Sequence, residues 1–270
     1  MYNIADKYNT FFKKNVAGYG RTELQMKETL ITGSEKLGVP LSDIQVNQLI
    51  TYAELLKEWN EKVNLTAITD DFGIAVKHFL DSLTAISTGY VLGKVIDVGC
   101  GAGFPGLVLK IAKPEINLTL LDSLNKRINF LKTVTEALGI ENVALEHSRA
   151  EDGARRMREK YDTVVSRAVA NMTVLSELCL PFLKVGGYFL ALKGPLAEQE
   201  LGDAKRAIHI LGGEVEAVFE AKIPFTDLSH KIIIVKKVRH TPMQFPRKAG
   251  IATKNPIDSC YNLKEIKKKK

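Results

Sequence analysis

The sequence predicts an α/β fold built on a mostly parallel, doubly wound sheet, and three observations support that prediction. Short apolar runs alternate with amphipathic helical segments through the middle of the chain. A glycine-rich loop, Gly99–Gly106, directly follows the first apolar run. Two more apolar runs near the end predict a closing strand pair, which brings the predicted sheet to seven strands. A ligand is therefore expected at the carboxyl edge of this sheet, near the switch in strand order.

The predicted strands are Lys94–Val98, Leu118–Leu121, Val143–Glu146, Tyr161–Val165, Gly187–Leu192, Glu214–Ala221 and Lys231–Lys237. The predicted helices of the sheet region are Leu107–Ala112, Asn125–Leu138, Thr173–Leu183 and Leu196–Leu211. Before the sheet, apolar residues from Val46 to Trp59 and from Ile74 to Ile86 recur at helical spacing, with Ser42 as a possible N-cap. We expect a helical cap over residues 1–90, a catalytic domain over 91–240 and a tail over 241–270. Residues 1–35 are expected to form a loosely attached extra helix.

Composition limits the class of protein. The chain has 270 residues, of which 45% are hydrophobic and 26% are charged, enough for one medium domain with an accessory region. No apolar run approaches the roughly 18 residues that a membrane span needs, and the first residues lack the apolar stretch of a secretory signal. Cys100, Cys179 and Cys260 are widely spaced and odd in number, so no disulfide framework or metal site is predicted. We expect a cytoplasmic protein without a membrane partner.

Charge is unevenly distributed along the chain. The segment from Lys231 to Lys270 contains twelve Lys and Arg residues and two acidic residues, so its net charge is +10. The whole chain has a net charge of +7, so the residues before this segment sum to −3. The body of the chain is therefore mildly acidic. A basic C-terminal segment of this kind favours a polyanionic partner, although a solvated tail has the same composition.

The glycine loop is the most informative motif. Gly101, Gly103 and Gly106 match the G-x-G-x-x-G pattern, in which glycines allow a tight turn and a close approach of the backbone to a ligand. Asp122 ends the second predicted strand, where a carboxylate accepts hydrogen bonds from ribose hydroxyls. On these residues alone, the cofactor is either a dinucleotide or S-adenosyl-L-methionine.

Three features favour the methyl donor. Asp97 precedes the loop, where its carboxylate is expected to face the cationic amino acid end of S-adenosylmethionine and would repel a pyrophosphate. Val185-Gly186-Gly187 precedes the fifth strand, as is common in methyltransferase sheets, and the closing strand pair suits an antiparallel seventh strand. The prediction is therefore a Rossmann-like S-adenosylmethionine-dependent methyltransferase fold.

Several further motifs resemble the family of ribosomal RNA small subunit methyltransferase G, also called glucose-inhibited division protein B. The resemblance covers residues 45–257 and is most specific in D-V-G-C-G-A-G-F-P-G (Asp97–Gly106) and V-S-R-A (Val165–Ala168). The other matching segments are W-N-E-K-V-N-L-T (Trp59–Thr66), K-H-F-L-D-S-L (Lys77–Leu83), L-L-D-S-L-N-K-R (Leu120–Arg127), S-R-A-E (Ser148–Glu151), L-K-G (Leu192–Gly194) and T-P-M-Q-F-P-R-K-A-G (Thr241–Gly250).

The resemblance implies methylation of a guanine N7 in the 530 loop of small-subunit (16S) ribosomal RNA, either as free RNA or in an assembling small subunit. It implies cofactor contacts at Gly99, Phe104, Ala150-Glu151 and Arg167, with Asp122-Ser123-Leu124 along the ribose and adenine. Asp97 and Gly101 complete the expected cofactor set. Many members carry an Arg just before the last strand, where this chain has Ser229-His230-Lys231, so the resemblance implies that any role of that Arg passes to His230 or Lys231.

The expected chemistry needs no general base, because guanine N7 carries a lone pair and no proton. Arg167 and Lys193, at the ends of the fourth and fifth strands, are instead expected to position the reactants. Basic residues that follow the strands or lie in the tail are expected to bind RNA, and the resemblance adds two residues of the cap. The expected RNA-binding residues are Asn64, His78, Lys126, Arg127, Arg149, Arg247 and Lys248.

Three other functions stay open on the sequence. The first is a methyltransferase that acts on a small molecule or a protein. The second is an NAD-dependent oxidoreductase, which the absence of a Tyr-x-x-x-Lys pair at Tyr188 disfavours. The third is a non-catalytic RNA-binding module that has lost its cofactor. We expect a monomer whose cap and tail form the walls of an RNA cleft.

Overall fold

The computed structural model of the chain describes residues 21–167 and 169–257. Its seven strands are β1 (Lys94–Val98), β2 (Asn117–Asp122), β3 (Val143–His147), β4 (Tyr161–Arg167), β5 (Leu183–Lys193), β6 (Gly213–Lys222) and β7 (Ser229–Lys237). They form one sheet in the order β3-β2-β1-β4-β5-β7-β6. Strands β1 to β5 are parallel, whereas β7 is antiparallel to both of its neighbours. The predicted fold class is confirmed, and the switch in strand order lies between β1 and β4.

Helices flank the sheet and precede it. Those of the cap are α1 (Arg21–Lys36), α2 (Asp43–Val63), α3 (Asp71–Ile74), a π-helical turn (Ala75–Leu80) and α4 (Asp81–Ser87). Those of the sheet region are α5 (Gly106–Ala112), α6 (Asn125–Ala137), α7 (Ala150–Arg156), α8 (Met172–Cys179), a 3-10 turn (Leu180–Phe182), α9 (Ala197–Ile210) and α10 (Ile251–Lys254). No described helix has both the length and the apolar character that crossing a bilayer requires.

Two local predictions differ from the structure. The helix expected over Thr173–Leu183 ends at Cys179, because Pro181 lacks the amide hydrogen that a continuing α-helix needs and lies instead in the 3-10 turn. Helix α7 was not predicted, since its seven residues include Gly153 and are too short to show a helical period.

The cap shares one hydrophobic core with the sheet. Leu30 of α1, Leu56 of α2 and Phe79 of the π-helical turn are fully buried in the same cluster as Val95 of β1 and Phe130 of α6. The expected loose attachment of residues 1–35 is therefore wrong for the part that begins at residue 21, while residues 1–20 lie outside the described residues. The cap and the sheet region bury apolar side chains against each other, and this close packing holds the cap in a fixed position beside the sheet.

Helix α2 is joined to the sheet region by its first turn. Ser42 and Gln45 form a reciprocal capping box, as the N-cap prediction at Ser42 implies. The Gln45 amide also donates to the carbonyl oxygens of Ile111 and Ala112, at 2.9 and 3.1 Å. One side chain thus satisfies unpaired groups at the start of α2 and at the end of α5.

We expect Gln45→Ala to lower the free energy of unfolding by about 2 kcal/mol, because it removes the capping box and leaves two carbonyl groups of α5 without a partner. Urea unfolding measures this change. Gln199→Ala, at an exposed position of α9, is the matched control and is expected to stay within about 0.5 kcal/mol of the wild type. Equal stabilities of the two variants would contradict this role of Gln45.

Candidate cofactor and substrate site

A cavity of about 460 Å³ opens at the carboxyl edge of the sheet, where β1, β2 and β4 end. Its position agrees with the edge expected from the strand order. The expected site residues that line it are Gly99, Gly101, Phe104, Asp122, Ser123, Ala150, Glu151, Arg167, His78, Arg127 and Arg149. The structure therefore brings together residues from all parts of the chain between 78 and 167.

The glycine loop adopts a backbone that requires glycine at defined positions. Gly99 and Gly103 have φ angles of +74° and +96°. A Cβ atom at Gly99 would lie 2.6 Å from the side chain of Val169, and one at Gly103 would lie 2.4 Å from the hydroxyl group of Tyr52. Tyr52 in turn donates a hydrogen bond to the carbonyl oxygen of Ala102. The loop thus packs closely between Tyr52 of the cap and Val169, which follows β4, and its backbone faces the cavity.

Asp97 lies beneath this loop and does not line the cavity. Its Oδ2 accepts a hydrogen bond of 2.7 Å from the amide of Gly106, at the start of α5, and the residue is fully buried. Its Oδ1 has no hydrogen-bond partner among the described residues. Burial raises the pKa of Asp97 to about 7. The expectation that Asp97 faces the cofactor is therefore not matched by this structure, in which the carboxyl group supports the loop from behind.

Asp122 shapes the opposite side of the loop. Its Oδ2 accepts hydrogen bonds from the amide of Gly101 at 3.0 Å and from Arg127 at 3.2 Å, and its Oδ1 accepts one from the amide of Leu124 at 2.9 Å. The residue is almost fully buried, yet it borders the cavity together with Ser123. Leu124, which was expected along the adenine, is largely exposed and lies outside the cavity lining.

One wall of the cavity is a stack of three side chains. The imidazole of His78 lies parallel to the ring of Phe104, with 4.5 Å between their centroids, and the guanidinium of Arg167 lies 5.2 Å from the Phe104 centroid. His78 Nε2 is 2.7 Å from the hydroxyl group of Thr66. Burial, assisted by the charge of Arg167, lowers the pKa of His78 to about 4. At this pKa His78 is neutral near pH 7, and its side chain is largely buried against Phe104.

A buried carboxylate holds the stack in place. Asp81 Oδ2 accepts a hydrogen bond of 2.7 Å from Arg167, and Asp81 Oδ1 lies 2.9 Å from Nδ1 of His230. Burial alone would raise the pKa of Asp81, but the hydrogen bonds and charges of His230 and Arg167 outweigh it and lower the pKa. The hydrogen bond to Asp81 raises the pKa of His230. At the position where the family Arg was expected, His230 thus joins an ion-pair network.

Lys193 does not reach the cavity. Its buried ammonium group donates to Glu200 at 2.7 Å and to the carbonyl oxygen of Ala170. Glu200 also accepts the amide hydrogen of Met172, at the start of α8. These contacts make Lys193 a support for the loop that leaves β4, and the positioning role expected for it is not matched.

The expected RNA-binding residues occupy different environments. His78, Arg127 and Arg149 line the cavity, whereas Asn64, Lys126 and Lys248 are exposed outside its lining. The seventh, the tail residue Arg247, is turned inward. It forms an ion pair of 2.6 Å with Glu177, whose side chain is only 1% exposed. Direct contact of Arg247 with an RNA backbone is not compatible with this placement.

Sequence reasoning missed several residues of the site. Tyr52 and Asp81 fix the loop and the stack, and Thr66, Ser148 and Val169 border the cavity. A signal was present for Asp81, because it follows His78 by three positions in a helical segment and so shares a face with it. No local pattern in the sequence distinguished Tyr52 from the other buried residues of its helix.

The buried Asp97 gives a prediction for stability against pH. A folded pKa of about 7, above the unfolded value of 3.8, means that the protonated carboxyl group favours the folded state below pH 4 and that this contribution is lost as the pH rises to 7. We expect the stability of Asp97→Asn relative to the wild type to increase by about 2 kcal/mol between pH 5 and pH 7.5. Urea unfolding without cofactor measures this difference, and a difference independent of pH would contradict the buried, protonated carboxyl group.

Comparison with known proteins agrees with the geometry. The sequence model of the family described as rRNA small subunit methyltransferase G matches residues 45–229. A protein of Alkaliphilus oremlandii named ribosomal RNA small subunit methyltransferase G is 51% identical over 238 residues, which cover 87% of this chain and all of that protein. The proteins of the same name from Alkaliphilus metalliredigens and Clostridium beijerinckii are 49% and 50% identical over the same shares. By these matches along most of its length, the chain belongs to the rRNA small subunit methyltransferase G family.

Proposed function

We propose that this enzyme transfers the methyl group of S-adenosylmethionine to N7 of a guanine in the 530 loop of 16S ribosomal RNA. The observation that carries the proposal is the cavity in which the glycine loop, Asp122 and the stack of His78, Phe104 and Arg167 meet, in a chain of this family. The loop offers a bare backbone, the carboxylate borders the expected ribose side, and the stack offers a flat wall. A nucleoside cofactor and a planar base need these three surfaces.

The shape of the glycine loop leaves room for the cofactor beside the backbone. A Cβ atom at Gly101 would meet no atom within 4 Å, so open space adjoins the backbone there. We propose contacts to S-adenosylmethionine from the lining residues Gly99, Gly101, Phe104, Ser123, Ala150, Glu151 and Arg167. We also propose a contact from Leu124, which is outside the lining but directly follows Ser123. When bound, the cofactor supplies a methyl group on a sulfonium, which is reactive enough for direct transfer.

The residues of this chain then have to orient and shield the reactants. Guanine N7 carries a lone pair and no proton, so no side chain has to remove a proton before transfer. His78, neutral near pH 7, and Phe104 provide a flat wall, while Arg167 is held in one orientation by Asp81. A fixed cation beside a flat wall can orient an acceptor such as guanine O6 and exclude water from the reacting atoms.

The RNA is proposed to approach along polar and basic residues that either line the cavity or are exposed outside its lining. Lys126, Arg127 and Arg149 lie on the side of α6 and α7, Asn64 lies at the end of α2, and Lys248 is exposed in the tail. Binding through such residues is weakened by salt. We further propose that the protein is a monomer in the cytoplasm and that its substrate is rRNA, either free or in an assembling small subunit. The chain is proposed to divide into a cap (1–90), a catalytic domain (91–240) and a tail (241–270).

The direct test uses the full chain with methyl-labelled S-adenosylmethionine and unmodified small-subunit ribosomal RNA, free or in particles. We expect the label in a single guanine of the 530 loop, mapped by cleavage specific for 7-methylguanosine. Cofactor binding without label in either substrate would overturn the ribosomal RNA proposal. In that case, methylation of a small molecule or a protein would become the leading function.

A pair of glycine variants tests the cofactor site. Gly101 and Gly38 have φ angles of +58° and +69°, and a Cβ atom at either position would meet no atom within 4 Å. Alanine therefore causes similar backbone strain at both. Because only Gly101 lines the cavity, we expect Gly101→Ala to weaken S-adenosylmethionine binding by about tenfold or more and Gly38→Ala to leave it unchanged. Calorimetric titration measures both, and equal affinities would argue against the proposed site.

A further inference from the structure

The described part of the C-terminal tail, residues 241–257, packs along the body of the protein. Phe245 and Ile257 are buried in the core cluster on the side of the sheet that α8 and α9 cover. Arg158 donates hydrogen bonds to the carbonyl oxygens of Thr241, Pro242 and Phe245, the last at 2.7 Å. The tail thus follows a fixed path from β7 back toward the cavity, although its composition alone suggested a segment that lies along RNA.

A buried ion pair fixes the middle of this path. Glu177 of α8 accepts hydrogen bonds from the backbone amide of Arg247 at 2.8 Å and from Nε and Nη2 of its guanidinium at 2.9 and 2.6 Å. The side chains of Glu177 and Arg247 are 1% and 11% exposed. A bidentate pair with an added backbone bond defines the direction of the chain as well as its position. The residue next to Glu177, Leu178, lines the cavity.

Three residues further along, the tail reaches a wall of the cavity. The backbone amide of Gly250 donates a hydrogen bond of 3.0 Å to Oε1 of Glu151. Glu151 is 8% exposed and lines the cavity from the first turn of α7. Gly250 has a φ angle of +79°, which residues other than glycine rarely adopt. Glycine therefore allows the chain to turn at this position with little strain.

We infer that the tail is part of the cofactor site: Arg247 and Glu177 are positioning residues that hold the Gly250 amide against Glu151, and thereby orient Glu151 toward bound S-adenosylmethionine. A nearly buried carboxylate that loses a hydrogen-bond donor adopts other rotamers, so its cavity-facing geometry depends on the tail. This inference rests on the proposed function, because it assigns a role at the same cofactor site.

Coupling of this kind is reciprocal. If the ordered tail strengthens cofactor binding, then bound cofactor must stabilise the ordered tail by the same free energy. Variants of the tail are therefore expected to bind the cofactor less tightly, and the cofactor is expected to order the tail of the wild-type chain. The second effect can be measured without any variant.

The first experiment titrates full-length variants with S-adenosylhomocysteine in a calorimeter. We expect Arg247→Met to weaken binding by about tenfold and Arg247→Lys, which retains the charge but not the bidentate geometry, to give an intermediate loss. Arg239→Met is the matched control, since Arg239 is exposed and bonded to the carbonyl oxygen of His209, and its affinity is expected to stay within about twofold of the wild type. Equal affinities of Arg247→Met and the wild type would overturn the inference.

The second experiment measures amide hydrogen exchange in the wild type with and without saturating S-adenosylhomocysteine. We expect exchange of the segment 247–254 to slow by about threefold or more, and exchange of the turn 138–142, which precedes β3 at the opposite edge of the sheet, to stay unchanged. Tail exchange that is identical with and without bound ligand would overturn the inference while leaving the proposed function intact. A wild-type chain that binds no S-adenosylhomocysteine would instead overturn the proposed function and this inference with it.

Discussion

The ion pair between Asp81 and Arg167 is the contact on which the geometry of the site depends. Asp81 belongs to the cap and Arg167 ends β4, so their 2.7 Å hydrogen bond fixes the cap against the sheet. Burying two charges is unfavourable unless their geometry and remaining hydrogen bonds are satisfied. Here the second oxygen of Asp81 is occupied by His230 of β7, and Arg167 also rests on Phe104. These contacts favour a single arrangement of the cap, the end of β4 and the start of β7, and the cavity wall is formed in that arrangement.

The carboxylates around the glycine loop act mainly on the protein's own backbone. Asp97 holds the start of α5, and Asp122 holds Gly101 and the start of α6. Because both are buried, each hydrogen bond they accept is stronger than it would be in water. The loop is consequently held by the protein's own hydrogen bonds in a shape whose backbone faces the cavity. This preorganisation lowers the entropy that binding must otherwise overcome.

The sequence was sufficient for the features that depend on local patterns. Every predicted strand is present, because short runs rich in apolar residues and bounded by turns are typical of strands, and the glycine loop lies where the strand order places a ligand. The roles of individual charged residues were harder to predict. Arg167 and Asp81 are 86 positions apart, and Arg247 and Glu177 are 70 apart. No periodicity connects such partners, so Lys193 and Arg247, which look like ligand contacts in the sequence, proved to be internal supports.

The tail shows why a basic composition cannot be assigned to one function. Arg247 and Lys248 are adjacent, yet the first is paired with Glu177 in the interior and the second is exposed. The backbone bends at Pro246 and Lys248 and turns at Ala249 and Gly250, so adjacent basic side chains face different surroundings and only part of the charge is presented to a partner. The inward part is available for positioning the chain, as Gly250 and Glu151 show at the cavity. On the proposed assignment, one short segment supports the cofactor site through the Gly250 amide and leaves Lys248 exposed to a polyanion.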